Sequence, residues 1–395
     1  MPEPAAKITL MERAPRFNFH DVLWAPARAL SAKQIFSMTV FLVAALLVYD
    51  LFYYLAFLID GEPLGIAFSA YGLFPFVDFA FNGPAARICF LVGVTLSLFA
   101  LMLGFFAVAS INVEAVRGNR FFSARGAVRF ALVRFRQLFL SELTIVLFVA
   151  FIVLLFFLLG LVSRIPLIGQ WLYTLLFVVP NFIVALFSVF IIFVFTLTIL
   201  LLPAVAAAER EGETFAAILE TFSTVIRQPF RWAGYTAYSF VAAKVCSFLY
   251  AYFCYRAVQF MVWASSLGGG DALERLVRSG LGHLPVREDL VRELLNVFPG
   301  VPFGISVLRW RWDGSDQAVS YLMAVMLFLV FATVAGYLLA IVAAAQARGY
   351  VALRYIKDQY SIADEDPLFF TDEHVNPEVV ETDVHPGTSD NGSPS

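Results

Sequence analysis

The chain has 395 residues, of which 61% are apolar and 14% charged, with a mean hydropathy of +0.80 and a net charge of −3. Soluble domains are about 45–50% apolar and about 25% charged, so this composition excludes an ordinary soluble enzyme and predicts a polytopic membrane protein. The small net charge gives no reason to expect a nucleic-acid partner.

Six apolar runs are long enough to cross a bilayer, because a hydrocarbon core of ~30 Å requires ~20 apolar residues in a helix. The runs cover residues 35–58, 86–112, 139–162, 180–203, 232–255 and 318–345. An even number of spans places both chain termini on the same side of the membrane.

A short phrase recurs just before the first, third and fifth apolar runs. Its copies are Lys33-Gln34-Ile35-Phe36, Arg136-Gln137-Leu138-Phe139 and Arg227-Gln228-Pro229-Phe230. A second phrase, with Glu or Gln shortly before a Gly suited to end a helix, follows the even-numbered runs at 114–118, 209–212 and 346–349. We therefore predict three parallel repeats at about 18–118, 119–212 and 213–350, each an amphipathic helix followed by two spans.

The amphipathic helices are predicted over 18–34, 119–137 and 213–229. In the second, Arg125, Arg129 and Arg136 occur at helical spacing on one face, which is typical of a helix lying in the headgroup plane. These arginines are predicted lipid contacts. The helices either anchor the bundle or have a specific lipid-binding or regulatory role.

The predicted fold class is all-α, with six transmembrane helices and a small extracytoplasmic helical cap. A cytoplasmic arm (1–34) precedes a six-span membrane domain (35–350), and a cytoplasmic acidic tail (351–395) follows it. The three repeats could close into a ring with pseudo-threefold symmetry about the membrane normal or stand in an open row.

Two regions outside the spans could contact lipid or protein partners. The outer cap at 265–316 ends in Arg309-Trp310-Arg311-Trp312, which suits either binding to headgroups or a partner, or an ordinary interfacial anchor. From Asp364 onward the tail has nine acidic residues and no Lys or Arg, a disordered composition. Within it, Pro367-Leu368-Phe369-Phe370 could dock a cytoplasmic partner.

The orientation of the chain in the membrane follows from its basic residues. These concentrate before the first span, between the second and third spans, and between the fourth and fifth. The short connections on the other side contribute only Arg87 and Arg164. The positive-inside rule therefore predicts cytoplasmic termini, in a bacterial cytoplasmic (inner) membrane.

Two ionisable residues within the spans lie at the same distance along the chain from a copy of the recurring phrase. Asp50 lies seventeen residues after Lys33, and Lys244 lies seventeen after Arg227. Ionised groups within a span normally face the bundle interior and pair. Asp50 and Lys244 are thus a candidate solute site or gate, or else a buried ion pair that fixes the order of the repeats, or a lysine that snorkels outward.

Other polar groups within the spans are Glu142, one turn inside the third span, and Asn181, which follows Pro180. Both are more typical of structure than of function, although Asn181 could mark a local break facing a cavity. Motifs for phosphate binding or zinc hydrolysis do not occur, and the four histidines have no metal-ligand spacing. We predict no catalytic residue, no metal and no cofactor.

One stretch resembles a known family. Pro203 through Glu209, with Gly212, Ala216, Ser223 and Arg227, is similar to the cytoplasmic element of bacterial polytopic proteins related to the membrane domain fused to glycerophosphodiester phosphodiesterases. The likeness covers about thirty residues. No phosphodiesterase domain is present, so that activity does not carry over. The arrangement also resembles mitochondrial carriers, whose Pro-x-acid-x-x-base signature is absent.

Two functional hypotheses remain. A scaffold, assembly or lipid-organising membrane protein explains the spans, containing many of the 43 phenylalanines, the surface helices, the cap and the tail. A transporter or permease for a small charged or amphiphilic solute explains the parallel repeats and the Asp50/Lys244 level, but a transporter normally has more polar groups along its pathway. We favour the first hypothesis.

Overall fold

The computed structural model describes residues 15–71, 81–162, 164–166, 168–176, 180–269, 272–283 and 315–367. All regular secondary structure in these ranges is helical. The six long helices are α3 (Ala32–Asp60), α5 (Pro84–Val116), α7 (Phe135–Val162), α9 (Phe182–Ala208), α11 (Pro229–Gly269) and α13 (Ser315–Asp358). The short helices are α1 (Phe19–Leu23), α2 (Ala25–Ala29), α4 (Leu64–Tyr71), α6 (Ala124–Val133), α8 (Ile168–Leu176), α10 (Thr214–Arg227) and α12 (Ala272–His283), and a 3₁₀ turn covers Ile362–Asp364.

The six predicted spans are confirmed as six helices long and apolar enough to cross a membrane. Several run well past the predicted limits. The helix α11 continues to Gly269 and α13 continues to Asp358, because backbone hydrogen bonding carries a helix on after the apolar stretch ends.

The predicted amphipathic helices are present but differ in extent. The segment 18–34 is divided into α1 and α2, with Pro26 in the first turn of α2, where its missing N–H does no harm. The segment 119–137 begins at Ser123, whose hydroxyl accepts a hydrogen bond from the Gly126 N–H at 3.0 Å. It ends at Val133, so the predicted shared face is wrong for Arg136, which belongs to α7.

The three even-numbered spans form the centre of the bundle. Helices α5, α9 and α13 each contact the other two. Among the odd-numbered spans, α3 packs on α5 and α13, α7 packs on α9, and α11 packs on α13. The first and third predicted repeats are therefore in contact.

We call the end of the bundle at which α3 begins and α13 ends the terminal end. Here the even spans are buried over long stretches, including Leu103–Val116 in large part, Leu201–Ala208 and Ala340–Leu353. The stretches are rich in alanine, and small side chains let helix backbones approach closely in a membrane protein. The terminal end is thus the most closely packed part of the molecule.

The opposite end is held together within the first pair of spans and by α12, which packs on α11 and α13. The Asp60 carboxylate accepts hydrogen bonds from the backbone N–H groups of Asn82 and Gly83, at 2.9 and 2.8 Å, and so joins the end of α3 to the start of α5. An aromatic cluster includes Tyr53 and Phe81, which are 0% and 2% exposed. Phe81 is therefore packed into the bundle.

Parts of two predicted regions lie outside the described residues. Of the predicted cap, α12 is described, whereas Arg309, Trp310, Arg311 and Trp312 are not. The tail is described as far as Pro367, so most of the possible docking sequence Pro367-Leu368-Phe369-Phe370 is also outside.

Candidate functional site

Both recurring phrases come together at the terminal end. Gln34 and Gln137 of the opening phrase are 4% and 5% exposed, and Gln228 is half-buried. The phenylalanines two positions later in the copies are all exposed: Phe36, Phe139 and Phe230. The phrase thus turns a glutamine inward, toward the ends of the even spans, and a phenylalanine outward, where the bilayer would be.

A charge cluster, buried except for Arg210, joins three segments of the chain. We call Glu114, Arg117, Arg210 and Glu365 the polar hub. Arg117 donates to Glu114 Oε1 at 3.1 Å and, through Nη2, to Glu365 Oε2 at 2.6 Å and to the Ala208 carbonyl at 2.7 Å. Because Ala208 ends α9, the guanidinium also caps a helix C-terminus, where cations are stabilised. One side chain therefore joins the second span, the fourth span and the C-terminal segment.

The hub corrects one sequence prediction. The acidic tail was predicted to be disordered from Asp364, yet Glu365 has a side chain only 7% exposed, and Ile362 just before it is fully buried. Arg117 and Arg210 supply the reason, since both guanidinium groups lie within ion-pair distance of Glu365 Oε2, at 2.6 and 3.4 Å. A buried carboxylate with two such partners is ordered by them.

A second arginine reaches the same region from the second repeat. Arg134 donates to the carbonyls of Glu209 and Arg210, both at 2.9 Å. Burial, and then the neighbouring positive charge of Arg117, lower the pKa of Arg134 below its ordinary value. Arginine nevertheless stays protonated in proteins, so Arg134 keeps its positive charge.

Gln137 lies nearby and is the exception among the inward glutamines. Neither its carboxamide oxygen nor its nitrogen has a hydrogen-bond partner among the described residues, although both are buried. Gly212, with φ of +73°, turns the chain beside it, and a Cβ at that glycine would lie 3.7 Å from the Gln137 oxygen.

The other copies of the phrases make paired contacts. Asn112 donates to the Gln34 side-chain oxygen at 3.2 Å, which joins α5 to α3. Trp232 donates to Gln346 at 3.3 Å, and Gln346 in turn donates to Thr236 at 3.0 Å, which joins α11 to α13. The first and third pairs of spans are thus each joined by a buried amide, from Gln34 of the opening phrase and from Gln346 of the closing phrase.

An ion pair attaches α10 to the end of α13. Lys357 Nζ lies 2.7 and 2.8 Å from the two carboxylate oxygens of Glu220, and the lysine side chain is only 4% exposed. The Tyr350 hydroxyl donates to the same carboxylate at 3.4 Å. These contacts fix the amphipathic helix against the bundle.

The polar groups of the terminal end are arranged for attachment rather than for reaction. In the polar hub, two carboxylates face two guanidinium groups. The described ranges contain no group of three His, Cys, Asp or Glu side chains that could hold a metal ion. The chemistry this cluster supports is the mutual fixation of helices.

The structure places Asp50 and Lys244 on helices that are separated by the sixth span. Asp50 is half-buried on α3 with Tyr49 and Tyr54 close by, and Lys244 is exposed on α11. Helix α13 contacts both of these helices. The solute site or ion pair at Asp50 and Lys244 stays a prediction.

The two accessory polar groups occupy different surroundings. Glu142 is half-buried, and its Oε1 has no hydrogen-bond partner in the described part of the chain. Asn181 lies at the start of α9 and lines a groove of about 500 Å³ between α7 and α9, toward the opposite end. We call this the lateral groove; its walls include Ile152, Leu155 and Leu159 of α7 and Val184 and Ser188 of α9.

The predicted lipid contacts that are described lie on the surface. Arg125 and Arg129 are exposed on α6, whose other face buries Ala127, Phe130 and Ala131. Arg136 is exposed at the start of α7. Their exposure is compatible with headgroup binding, which stays a prediction.

No protein-family model, no curated protein and no solved structure matches this chain. The resemblance to the phosphodiesterase-linked membrane domain therefore stays a prediction, and function is argued from the described residues alone.

Sequence reasoning did not identify the polar hub. Glu114, Arg117 and Arg210 had been noted only as parts of phrases or as basic residues that set orientation. A signal was available: each stands within seven residues of the end of an apolar run, close to the place where the last helix carbonyls need partners. The participation of Glu365 had no such signal, since it comes from a distant acidic segment.

Proposed function

We propose that this chain is a non-enzymatic integral membrane protein that organises lipids or assembles partner proteins. The observation that carries the proposal is the polar hub, in which Arg117 joins the second span, the end of the fourth and the C-terminal segment. A transporter that alternates access moves its helical units relative to one another. Buried ion pairs across those units favour a fixed platform.

We further propose that the membrane is the bacterial cytoplasmic membrane and that the terminal end faces the cytoplasm. The concentration of Lys and Arg in the connections at this end supports that orientation. The chain is proposed to contain three parallel repeats, on the basis of the two recurring phrases, of which the first copy of the opening phrase and the third copy of the closing phrase each include a glutamine in a buried amide contact.

Exposed groups at the terminal end suit such a platform. Phe121, just before α6, and Phe230, at the start of α11, are 89% and 91% exposed. Arg125 and Arg129, on α6, are also exposed. Aromatic and basic side chains together are typical of surfaces that lie against anionic headgroups. The same groups could contact a neighbouring membrane protein.

The test is purification of the full chain without detergent, in discs cut from the native membrane, with the accompanying lipids and proteins identified by mass spectrometry. A scaffold should carry a protein or an enriched lipid class in fixed ratio to the chain. The double variant Arg125→Gln, Arg129→Gln should reduce that enrichment, whereas Arg256→Gln, an exposed arginine on α11, should not.

The transporter hypothesis predicts a different result. Purified chain in vesicles would then catalyse solute flux that Asp50→Asn abolishes, and no companion would be required. The lateral groove is not lined by Asp50 or Lys244, which is why we rank transport second.

A further inference from the structure

The lateral groove has the dimensions of one membrane leaflet. Along α7 its walls run from Ile152 to Val162, ten residues, or ~15 Å at ~1.5 Å per residue. That is half of a hydrocarbon core of ~30 Å. Its volume of about 500 Å³ falls within the ~300–1,000 Å³ of ligand-binding pockets.

The groove is apolar along its length and polar at one end. Ile152, Leu155 and Val184 line it deeper in the span, while Asn181 lines it at the end where α9 begins. The Asn181 side chain makes no capping hydrogen bond to α9, and it is half-exposed, so its carboxamide can meet a ligand. Ser188 offers no comparable donor, because its hydroxyl donates to the Val184 carbonyl at 2.8 Å.

A positive charge and an aromatic side chain stand beyond the polar end. Arg164 is exposed two residues after Val162, in the turn that leads from α7 to α8. Trp171, on α8, is 76% exposed. Tryptophan and arginine are typical of the level at which phospholipid headgroups lie. The apolar wall of the groove is thus followed by the Asn181 carboxamide and then by the Arg164 guanidinium. A phospholipid has its acyl chain, ester and phosphate in the same order.

We propose that the lateral groove binds one acyl chain of an anionic phospholipid, with the glycerol ester at Asn181 and the phosphate at Arg164. This inference rests on the proposed lipid-organising function and names the lipid and the place. The occupant is a lipid rather than a helix of another chain, because a spanning helix would leave the Asn181 carboxamide without an ester-level partner.

The polar groups must supply the preference for the bound lipid. Lipid tails are as apolar as leucine, so the groove wall alone gains no hydrophobic free energy by exchanging one tail for another. Hydrogen bonding at Asn181 and charge at Arg164 distinguish a resident lipid from the bulk bilayer. The shape of the groove then determines where the acyl chain of that lipid lies.

The experiment uses the full chain in vesicles of phosphatidylethanolamine and phosphatidylglycerol, with a trace of phosphatidylglycerol carrying a photoactivatable diazirine in one acyl chain. After illumination, labelled peptides are located by mass spectrometry. We expect labelling concentrated at 152–162 and 181–188, several-fold above that of the other spans. Uniform labelling of all six spans would mean ordinary surrounding lipid and would overturn the proposal.

Adjacent leucines provide a matched pair of variants. Leu155 lines the groove and Leu154 does not, and their exposed fractions are similar, at 45% and 49%. Leu155→Trp should lower the groove labelling several-fold, while Leu154→Trp should leave it unchanged. Equal labelling of the two variants would contradict the proposal. Leu155→Phe, a smaller addition, gives the same comparison if the tryptophan variant does not fold.

The headgroup assignment has its own test. With phosphatidylglycerol and phosphatidylethanolamine probes compared side by side, the wild type should favour the anionic probe, and Arg164→Gln should remove that preference. Asn181→Leu should weaken labelling by both. Groove labelling without any copurifying partner or enriched lipid would refute the proposed function but support lipid binding in the groove. Enrichment without groove labelling would support the proposed function and refute lipid binding in the groove.

Discussion

The terminal end and the opposite end of this bundle contain the same helices but are held together differently. At the terminal end, Arg117 is 4% exposed within a charge cluster, and alanine-rich stretches of the even spans touch. At the opposite end, Arg164 is exposed, and α7 and α9 leave the lateral groove between them. Apolar spans gain little from burying apolar surface in lipid, so polar contacts and small residues decide where they converge.

Single glycines also show where two particular helices approach closely and where a helix has open space beside it. A Cβ at Gly104 of α5 would lie 2.9 Å from the Met38 sulfur and 3.0 Å from Phe41 Cβ. A Cβ at Gly160, near the opposite end of α7, would have nothing within 4 Å. Glycine is required for helix approach at the first position and not at the second.

The largest effect is expected from Arg117→Met, which leaves Glu114 and Glu365 buried without their shared cation. Breaking a buried ion pair by removing one partner costs about 3–5 kcal/mol, because an uncompensated charge remains. The free energy of unfolding, measured by denaturant titration in a fixed detergent, should fall by that amount.

Arg164→Met is the control from the opposite end, and it should change stability little because its guanidinium is exposed. Adding Glu365→Gln to Arg117→Met should recover part of the loss, since it removes one of the two carboxylate charges that Arg117 neutralises. If the two single arginine variants lose the same stability, the polar hub does not set the difference between the ends.

The second prediction concerns close packing. Gly104→Val should destabilise the chain by about 1–3 kcal/mol, because the added methyl groups force apart α3 and α5. Gly160→Val should be close to neutral. The unfolding midpoints of the two variants, measured in the same detergent, give the comparison, and a larger loss at Gly160 would contradict the close packing of α3 on α5 at Gly104.

A third, smaller effect tests whether burial, rather than charge itself, matters at the terminal end. Lys357, 4% exposed at its side chain, pairs with Glu220, whereas Arg227, 65% exposed, lies 4.0 Å from Asp358. Lys357→Met should lower the unfolding midpoint clearly, though less than Arg117→Met, because Glu220 stays 22% exposed to solvent. Arg227→Met should leave the midpoint unchanged, as is usual for surface pairs.

Much of the fold could be predicted from the sequence because the bilayer imposes a simple rule. Six apolar runs became six long helices, and the recurring phrases marked three of their beginnings. The ends were harder to predict: α11 runs fourteen residues past the predicted limit of 255, to Gly269, since residues of good helix propensity continue a helix regardless of the membrane.

The candidate sites were less predictable, for a physical reason. Asp50 and Lys244 share a depth, but depth does not fix which way a side chain points, and α13 stands between their helices. The polar hub depends on Glu365, which is 248 residues from Arg117. Single-sequence patterns report local periodicity and contain no information on such distant pairs. Asn181, beside a proline in an apolar run, is a predicted group that lines the lateral groove.

The smallest effect is expected from Tyr360, at the edge of the polar hub. A hydrogen bond with Glu365, and then burial, raise the pKa of this phenol above its ordinary value. Because the folded-state pKa is the higher one, the neutral phenol stabilises the fold fully below the unfolded pKa of about 10, and the contribution is lost as the pH rises through the folded value.

Tyr360→Phe removes the ionisable group while keeping a ring beside Arg354, whose guanidinium carbon lies 4.6 Å from the tyrosine ring. The wild type should therefore be more stable than the variant near neutral pH, and the difference should shrink above about pH 10. Comparing the two chains at each pH cancels the titration of lysines and of the other tyrosines. A difference that stays constant over this range would mean that Glu365 is held by its arginines alone and that the phenol adds nothing to the closure of the terminal end.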